Sequence, residues 1–257
     1  MIDVSRFSNI LLFDYSLRLG DNALVLGQRL AEWCGHAPIL EEDIALTNIA
    51  LDLIGQARLW LSYAGEVEGR GRDEDQLAFL RHGGEFRNVR LVEQPNGNFA
   101  DTMARQFYFD TWHYFLLRAL TASTEPRIAE IAGKCFKEVA YHVKRDSDWI
   151  VRLGDGTEES HVKMQAAIDA LWRYTGELFE MDALDAALVA EGIGCDLSAV
   201  RPLWSAHVEE TLHDATLRLP PATGMLRGGK RGVHSEHLGH MLATMQFLQR
   251  AYPGATW

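Results

Sequence analysis

The sequence has few cysteines and none in a closely spaced pair. Cys34, Cys135 and Cys195 are widely separated. A disulfide framework and a zinc site built from Cys-x-x-Cys pairs are therefore not indicated. This usage fits a reducing compartment, and we expect a cytoplasmic protein.

Long hydrophobic runs are also missing. No apolar stretch approaches the roughly 18 residues that a membrane-spanning helix needs. The segment Met1–Arg6 is too polar for a secretory signal peptide. We therefore expect a soluble chain that does not insert into a membrane.

Basic residues are outnumbered by acidic ones. The chain has 25 Lys and Arg against 36 Asp and Glu, a net charge of −11. Such a chain repels a phosphate backbone, so nonspecific binding to nucleic acid is disfavoured. With 47% hydrophobic and 24% charged residues, the 257-residue chain has the balance of a folded globular protein.

Apolar residues recur at helical spacing, as in Leu24, Val25, Leu30 and Trp33. Pro126 suits the first turn of a helix, and Ser235 is a candidate N-cap. The pattern contains no convincing strand. We predict long helices over about 15–34, 41–68, 99–123 and 126–153, and shorter ones over about 160–191, 198–215 and 235–250.

These segments predict an all-α protein. Two long helical hairpins joined by a crossover at about 69–98 describe a ferritin-like four-helix bundle. We expect one domain over 1–257, with the bundle core at about 15–153 and additional helices packing around it from about 158 to 257.

The predicted hairpins align four acidic residues at one level. If the first turn is centred near 36–37, Asp21 lies opposite Asp52, and if the second is centred near 124, Asp110 lies opposite Glu138. One acid on each of four helices is the layout of a di-iron carboxylate site.

The histidines that such a site requires are missing. In a Glu-x-x-His pair the ligands stand three residues apart, and here Gly55 follows Asp52 and Tyr141 follows Glu138 at that spacing. Glycine cannot ligate iron, and His142 lies about 100° further round the helix. We therefore expect no metal and no catalytic residue in this chain.

Three interpretations of the acids stay open. They form a buried relic of a metal site neutralised by neighbours such as Arg18 or Arg145, or they face solvent, or they bind a metal after all. Asp110 and His113 do have the spacing of a ligand pair, but on the helix that should supply only a lone carboxylate.

A basic loop precedes the last predicted helix. Arg227, Lys230 and Arg231 stand among glycines in an otherwise acidic chain. The loop is a solvated turn, a docking element for a partner, or a contact for phosphate groups of a ligand.

The neighbouring His234, His237 and His240 have a spacing that could also suit a metal. No cysteine or carboxylate triad accompanies them, so capping or contact with a partner is the favoured interpretation. The tryptophans fall at core positions and are expected to pack.

Several long stretches together resemble the C subunit family of the bacterial phenylacetyl-CoA ring epoxidase, a multicomponent monooxygenase. The similarity runs over nearly the whole chain, although the residues before Asp14 look unlike the shorter members. The stretches that carry it are LRLGDN at 17–22, QRLAEWCGHAP at 28–38, LDLIGQAR at 51–58, LVEQPNGNFADT at 91–102, GGKRGVHSEHLG at 228–239 and MQFLQR at 245–250.

The resemblance implies a ferritin-like, non-catalytic subunit that pairs with a catalytic A subunit, which holds the di-iron centre. It also implies that a reductase component supplies electrons from NADPH, and that the complex converts phenylacetyl-CoA to its ring epoxide. The alternatives are an independent ferritin-like di-iron oxidase or iron-binding protein, and a helical interaction module unrelated to oxygenases. The missing ligand histidines disfavour the first, and the level acids disfavour the second.

Overall fold

A computed structural model describes residues 4–221 and 224–255, and within them it contains helices and no strand. The all-α prediction is confirmed. None of the helices in the described ranges is both long and apolar enough to cross a membrane. The α-helices are α1 (Val4–Ala31), α2 (Leu40–Glu68), α3 (Glu74–Phe79), α4 (Phe99–Leu120), α5 (Pro126–Gly154), α6 (Glu158–Trp172), α7 (Ala183–Ala190), α8 (Leu197–Asp214), α9 (Glu236–Met245) and α10 (Phe247–Ala251).

The chain forms two compact units. The first contains the chain up to Gln94 together with the chain from Gly228 onward, and the second contains Pro95–Arg227. The interpretation of 1–257 as one domain stays a prediction.

In the first unit, α1 and α2 form the main hairpin. The two helices approach closely at Gly20, where an added Cβ would lie 2.8 Å from Cδ2 of Leu61. Large side chains such as Leu26, Leu53 and Trp60 are fully buried in this unit. They supply the burial that stabilises the hairpin.

In the second unit, α4 and α5 form the main hairpin, and α6 and α8 also pack on α4. The rings of Tyr108, Trp172 and Trp204 lie 5.8 Å apart in each pair. The Nε1–H of Trp204 donates to the Tyr108 carbonyl oxygen at 2.9 Å. These tryptophans pack the core, as expected.

Three predicted helices differ from the structure. The one predicted over 235–250 is interrupted at Gln246, between α9 and α10. Helix α1 begins at Val4 and not near residue 15. The predicted helix over 160–191 is two helices, because α6 ends at Trp172, where the Thr175 hydroxyl donates to its carbonyl oxygen. A new helix then begins after Asp182, whose carboxylate caps the first turn of α7.

Two predicted helix starts are found where expected. Helix α5 begins at Pro126. Ser235 occupies the N-cap position of α9, but its hydroxyl makes no capping hydrogen bond. Its backbone N–H instead donates to Oε2 of Glu93 at 3.3 Å.

Candidate functional site

Asp21 is fully buried and held by Arg81 from the crossover segment. Both Nη groups of Arg81 donate to the two carboxylate oxygens of Asp21. The backbone N–H of Arg87 donates to the same carboxylate at 2.8 Å. Arg18, which we expected to neutralise this acid, forms an ion pair with Asp14 at 2.9 Å. The charge of Asp21 is therefore balanced by a residue outside the long helices.

The contacts between α1 and α2 give a different register from the one that the loop midpoint predicts. Gly20 lies against Leu61. Asp21, one residue further along α1, therefore lies level with the turn just before Leu61, about two helical turns beyond Asp52. Asp52 is half-buried and Gly55 is exposed. The structure does not bring Asp21 and Asp52 to one level, because close helix contacts and not the loop centre set the register.

The hairpin of α4 and α5 has its predicted alignment. Phe99 packs on Trp149 with ring centroids 5.0 Å apart, and Tyr114 stacks on Phe136 at 4.9 Å. The midpoint between the two residue numbers of each pair lies close to Thr124, where the sequence predicted the turn.

Glu138 does not lie on the buried face of α5, although its predicted pairing with Asp110 requires it to point inward. Val139, His142 and Asp146 are fully buried, whereas Glu138 is half-buried and Tyr141 is 57% exposed. The acid that meets Asp110 is therefore Asp146. The pairing of Glu138 with Asp110 stays a prediction, because the level of a residue along a helix does not show which way its side chain points.

Asp110 and Asp146 form a hydrogen-bonded carboxyl pair in the core of the second unit. The Nε2–H of Gln106 donates to Oδ2 of Asp110 at 3.3 Å, and Nη1 of Arg145 donates to Oδ1 of Asp146 at 3.2 Å. A hydrogen bond between two carboxyl groups requires a proton on one of them. Arg145 favours the charged form of Asp146, so the proton belongs on Asp110.

The pKa directions agree with this assignment. Burial, and then the charge of Asp146, raise the pKa of Asp110 well above its ordinary value. Burial also raises the pKa of Asp146, but Arg145 opposes that increase. The pair therefore holds one negative charge, which faces the single positive charge of Arg145.

Two buried imidazoles lie in the same hairpin. Burial, with a smaller contribution from His142, lowers the pKa of His113 to about 3. His113 is therefore neutral near pH 7. Aspartate and histidine donors thus occur together here, but among the described residues no group of three or more His, Cys, Asp or Glu side chains is arranged to hold a metal ion.

Asp146 and Gln106 were not predicted as members of this cluster. A signal was present, because on α5 the buried residues Cys135, Val139, Asp146 and Ile150 follow a three-to-four-residue period. Asp146 stands on that apolar stripe, and a charged residue in such a position indicates a buried partner.

The histidines near α9 anchor the C-terminal segment within the first unit. Nη2 of Arg29 donates to the carbonyl oxygens of Glu93 and His237, both at 3.0 Å. Nδ1 of His234 lies 3.7 Å from Oε1 of Glu93, whose Oε2 accepts the Ser235 N–H. The geometry gives these residues a role in holding the segment.

The glycines of the basic loop allow close backbone contact within the first unit. A Cβ at Gly229 would collide with the Asn88 carbonyl oxygen, and one at Gly232 would collide with that of Gly84. Gly232 also has φ of 77°, which favours glycine.

The three cations of this loop differ in exposure. Lys230 is half-buried, whereas Arg227 and Arg231 are exposed. The exposed guanidinium of Arg231 can reach an anionic group on another molecule.

Removing the charge of Asp21 should destabilise the chain strongly. Asp21→Asn leaves the buried Arg81 guanidinium without its carboxylate, and breaking a buried pair in this way costs about 3 kcal/mol or more. Asp148→Asn is the matched control, since its ion pair with Lys144 is exposed and contributes less than about 1 kcal/mol. Urea denaturation followed by circular dichroism measures both. Equal losses in the two variants would contradict a buried, paired Asp21.

Asp110→Asn should gain stability relative to the native chain as pH rises. With its raised pKa, Asp110 stays protonated in the folded chain while it ionises in the unfolded chain above about pH 3.9. Ionisation of Asp110 in the unfolded state therefore lowers the free energy of unfolding of the native chain between about pH 4 and pH 7. The asparagine variant does not show this decrease.

Asp146→Asn is the contrasting variant. It removes the carboxylate that Arg145 contacts, so it should lower the free energy of unfolding by about 3 kcal/mol at neutral pH. Denaturation at about pH 4 and about pH 7 compares the two variants. If both lost equal stability at both values, the assignment of the proton to Asp110 would be wrong.

Comparison with known proteins gives a consistent identification. The family model described as phenylacetic acid catabolic protein matches residues 7–257. A curated relative, the C subunit of 1,2-phenylacetyl-CoA epoxidase from Escherichia coli (strain K12), is 55% identical over 243 residues, which cover 95% of this chain and 98% of the relative. The resemblance found in the sequence and the ferritin-like fold class are confirmed. The chain belongs to the phenylacetic acid catabolic protein family.

Proposed function

We propose that this chain is a structural, non-catalytic subunit of a phenylacetyl-CoA epoxidase complex. One observation carries the proposal: 55% identity, over nearly the full length of both chains, to a relative named as the C subunit of that enzyme. Near-complete coverage leaves no large segment of either chain unmatched. A separate function would therefore have to use the same helices.

The chemistry of the buried acids supports a role without catalysis. Asp21 forms an ion pair with Arg81, and Asp146 interacts with Arg145 and Asp110. A metal ion would have to displace a buried guanidinium to reach either carboxylate, and each such displacement leaves a charge without its partner. Such a site is poorly suited to iron, so an independent di-iron oxidase or iron-binding protein is not favoured.

The remaining components of the proposed complex follow from the family resemblance. A catalytic A subunit holds the di-iron centre, a reductase supplies electrons from NADPH, and phenylacetyl-CoA is the substrate. The complex works in the cytoplasm. This chain supports the catalytic subunit by covering part of its surface, and burial of a large area is the usual basis of permanent subunit association.

Measuring iron content tests whether the catalytic subunit, and not this chain, holds the iron. The chain and the catalytic subunit are purified separately and after co-expression, loaded with ferrous iron without oxygen, and analysed for metal. We expect substoichiometric iron in the chain alone, and iron that follows the catalytic subunit in the complex. Tightly held stoichiometric iron in the isolated chain would contradict a structural role.

The variant Asp110→Asn serves as an internal control in the same experiment. It alters the polar cluster but keeps a hydrogen-bond donor beside Asp146. We expect unchanged iron content and unchanged epoxidation by the reconstituted complex.

A native chain that does not associate with the catalytic subunit would count against membership of the complex.

The basic loop offers a separate prediction. We propose that Lys230 and Arg231 contribute to association with the partner subunit, because opposite charges attract more strongly in a partly desolvated interface than in open water. Replacing both with alanine should weaken association, and added salt should weaken it in the native complex. Fold stability should change by only about 0.5 kcal/mol, as surface substitutions usually do.

The control removes the same charge elsewhere. Lys134→Ala with Lys137→Ala changes two exposed residues on α5. Sedimentation measures assembly, and steady-state kinetics measures kcat and KM. Weaker assembly supports docking, whereas a higher KM with intact assembly points to coenzyme A phosphates. Unchanged assembly, kcat and KM would return the loop to a solvated turn.

A further inference from the structure

Asn96 and Gly97 form the only Asn-Gly pair in the sequence, and they lie directly before α4 in the second unit. The backbone nitrogen that follows an asparagine can attack the side-chain Cγ and close a succinimide ring. Glycine permits this attack most readily, because it has no side chain to obstruct the nitrogen and its backbone adopts many conformations. The reacting atoms belong to neighbouring residues, so the chain itself holds them close together.

A buried guanidinium contacts the side-chain carbonyl of Asn96. Nη2 of Arg105 donates to Oδ1 of Asn96 at 2.8 Å, and Arg105 is fully buried on α4. Attack on Cγ moves negative charge onto Oδ1. A charged donor at hydrogen-bond distance stabilises that charge, as the donors of an oxyanion hole do. Arg105 therefore favours closure of the ring.

The contacts around Gly97 also suit the reaction. Gly97 has a φ of 56°, and a Cβ added to it would collide with the carboxylate of Asp101. Oδ2 of that carboxylate accepts the Asn98 N–H at 2.8 Å. A carboxylate therefore lies beside Gly97 and can accept the proton that the Gly97 nitrogen loses. Asn96 is half-buried and Gly97 is exposed, so water reaches the site.

We propose that Asn96 is a deamidation site and that Arg105 directs the reaction to aspartate. The Gly97 nitrogen loses its proton and bonds to Cγ of Asn96, the bond from Cγ to Nδ2 breaks, and ammonia leaves with that proton. One water molecule then opens the ring. The net change is hydrolysis of the side-chain amide to a carboxylic acid and ammonia. The proposal does not rest on the proposed function.

Water can open the ring at either of its two carbonyl carbons. Attack at Cγ breaks its bond to the Gly97 nitrogen and restores the ordinary backbone, whereas attack at the backbone carbon leaves isoaspartate. Oδ1 faces the guanidinium of Arg105, and the backbone oxygen of Asn96 accepts from the neutral hydroxyl of Thr102 at 2.9 Å. A charged donor polarises its carbonyl more strongly. Attack at Cγ is therefore favoured.

The start of α4 gives a second reason for aspartate. Oδ1 of Asn98 accepts from the backbone N–H of Ala100 and of Asp101, which caps the first turn. Isoaspartate lengthens the backbone just before this cap and would displace it. Aspartate leaves the backbone unchanged and places a carboxylate beside Arg105, where a charge-assisted hydrogen bond replaces a neutral one.

Prolonged incubation of the folded chain at neutral pH provides the first test. Electron-transfer fragmentation of its peptides distinguishes aspartate from isoaspartate. The reference is a synthetic peptide of residues 91–100, blocked at both ends, which lacks Arg105. We expect Asn96 to convert in the chain at least as fast as in the peptide. The ratio of aspartate to isoaspartate should be at least about fivefold higher in the chain, because a charged donor bonds more strongly than a neutral one.

Two results would overturn the proposal. One is an Asn96 side chain that stays intact in the folded chain while the peptide converts. The other is isoaspartate as the main product in the folded chain.

Replacing the donor provides the second test. Arg105→Gln should slow the conversion at least about tenfold, because it removes the charged donor from Oδ1 of Asn96. The ratio of products should fall to that of the peptide. Arg118→Gln is the matched control, since Arg118 is exposed on the same helix. Circular dichroism checks folding, and Arg105→Lys, which keeps the charge, takes the place of a variant that does not fold. An unchanged rate and ratio in the folded variant would contradict a role for Arg105.

A direct product mimic provides the third test. Asn96→Asp should have a urea midpoint at least equal to that of the native chain, because its new carboxylate faces Arg105. Asn48→Asp is the control, since it adds the same charge at an exposed position on α2. A midpoint lowered in Asn96→Asp and not in the control would show that the fold does not accommodate the product, against the proposal.

Discussion

A charged side chain that is buried requires an opposite charge beside it, and this constraint determines the polar contacts in both units of the chain. In the first unit, Asp21 on α1 determines where the crossover runs, because Arg81 and the backbone of Arg87 must reach it. In the second, Asp146 requires Arg145 and the proton on Asp110. Apolar burial supplies most of the stabilisation, but these partners fix which residues face inward.

The same acids support our proposal that this ferritin-like chain holds no metal. A carboxylate placed to ligate iron carries charge that the metal would neutralise. Here a guanidinium, a second carboxyl group and a shared proton neutralise it. The function that we propose for the chain thus follows from how its buried charges are balanced, and the neutral imidazole of His113 adds no charge to that balance.

Helical periodicity and turn residues were enough to predict the class of fold and the bounds of α2, α4 and α5 within a few residues. The aromatic pairs of α4 and α5 agree with a turn near Thr124. The register of α1 on α2 was not predictable from the loop, since Gly20 and its contact with Leu61 determine it. Arg81 could not be assigned to Asp21, because nothing local in the sequence indicates a contact across 60 residues.

The discontinuity of the first unit has a consequence for biosynthesis. Arg29 and Glu93 contact His237 and Ser235, which leave the ribosome only after the whole of Pro95–Arg227. The second unit is continuous and can fold as soon as it emerges, while the hairpin of α1 and α2 waits for its last contacts. Closing contacts that are so distant in sequence is slow. During that interval the carboxylate of Glu93 lacks its contact with the Ser235 N–H and stays in water.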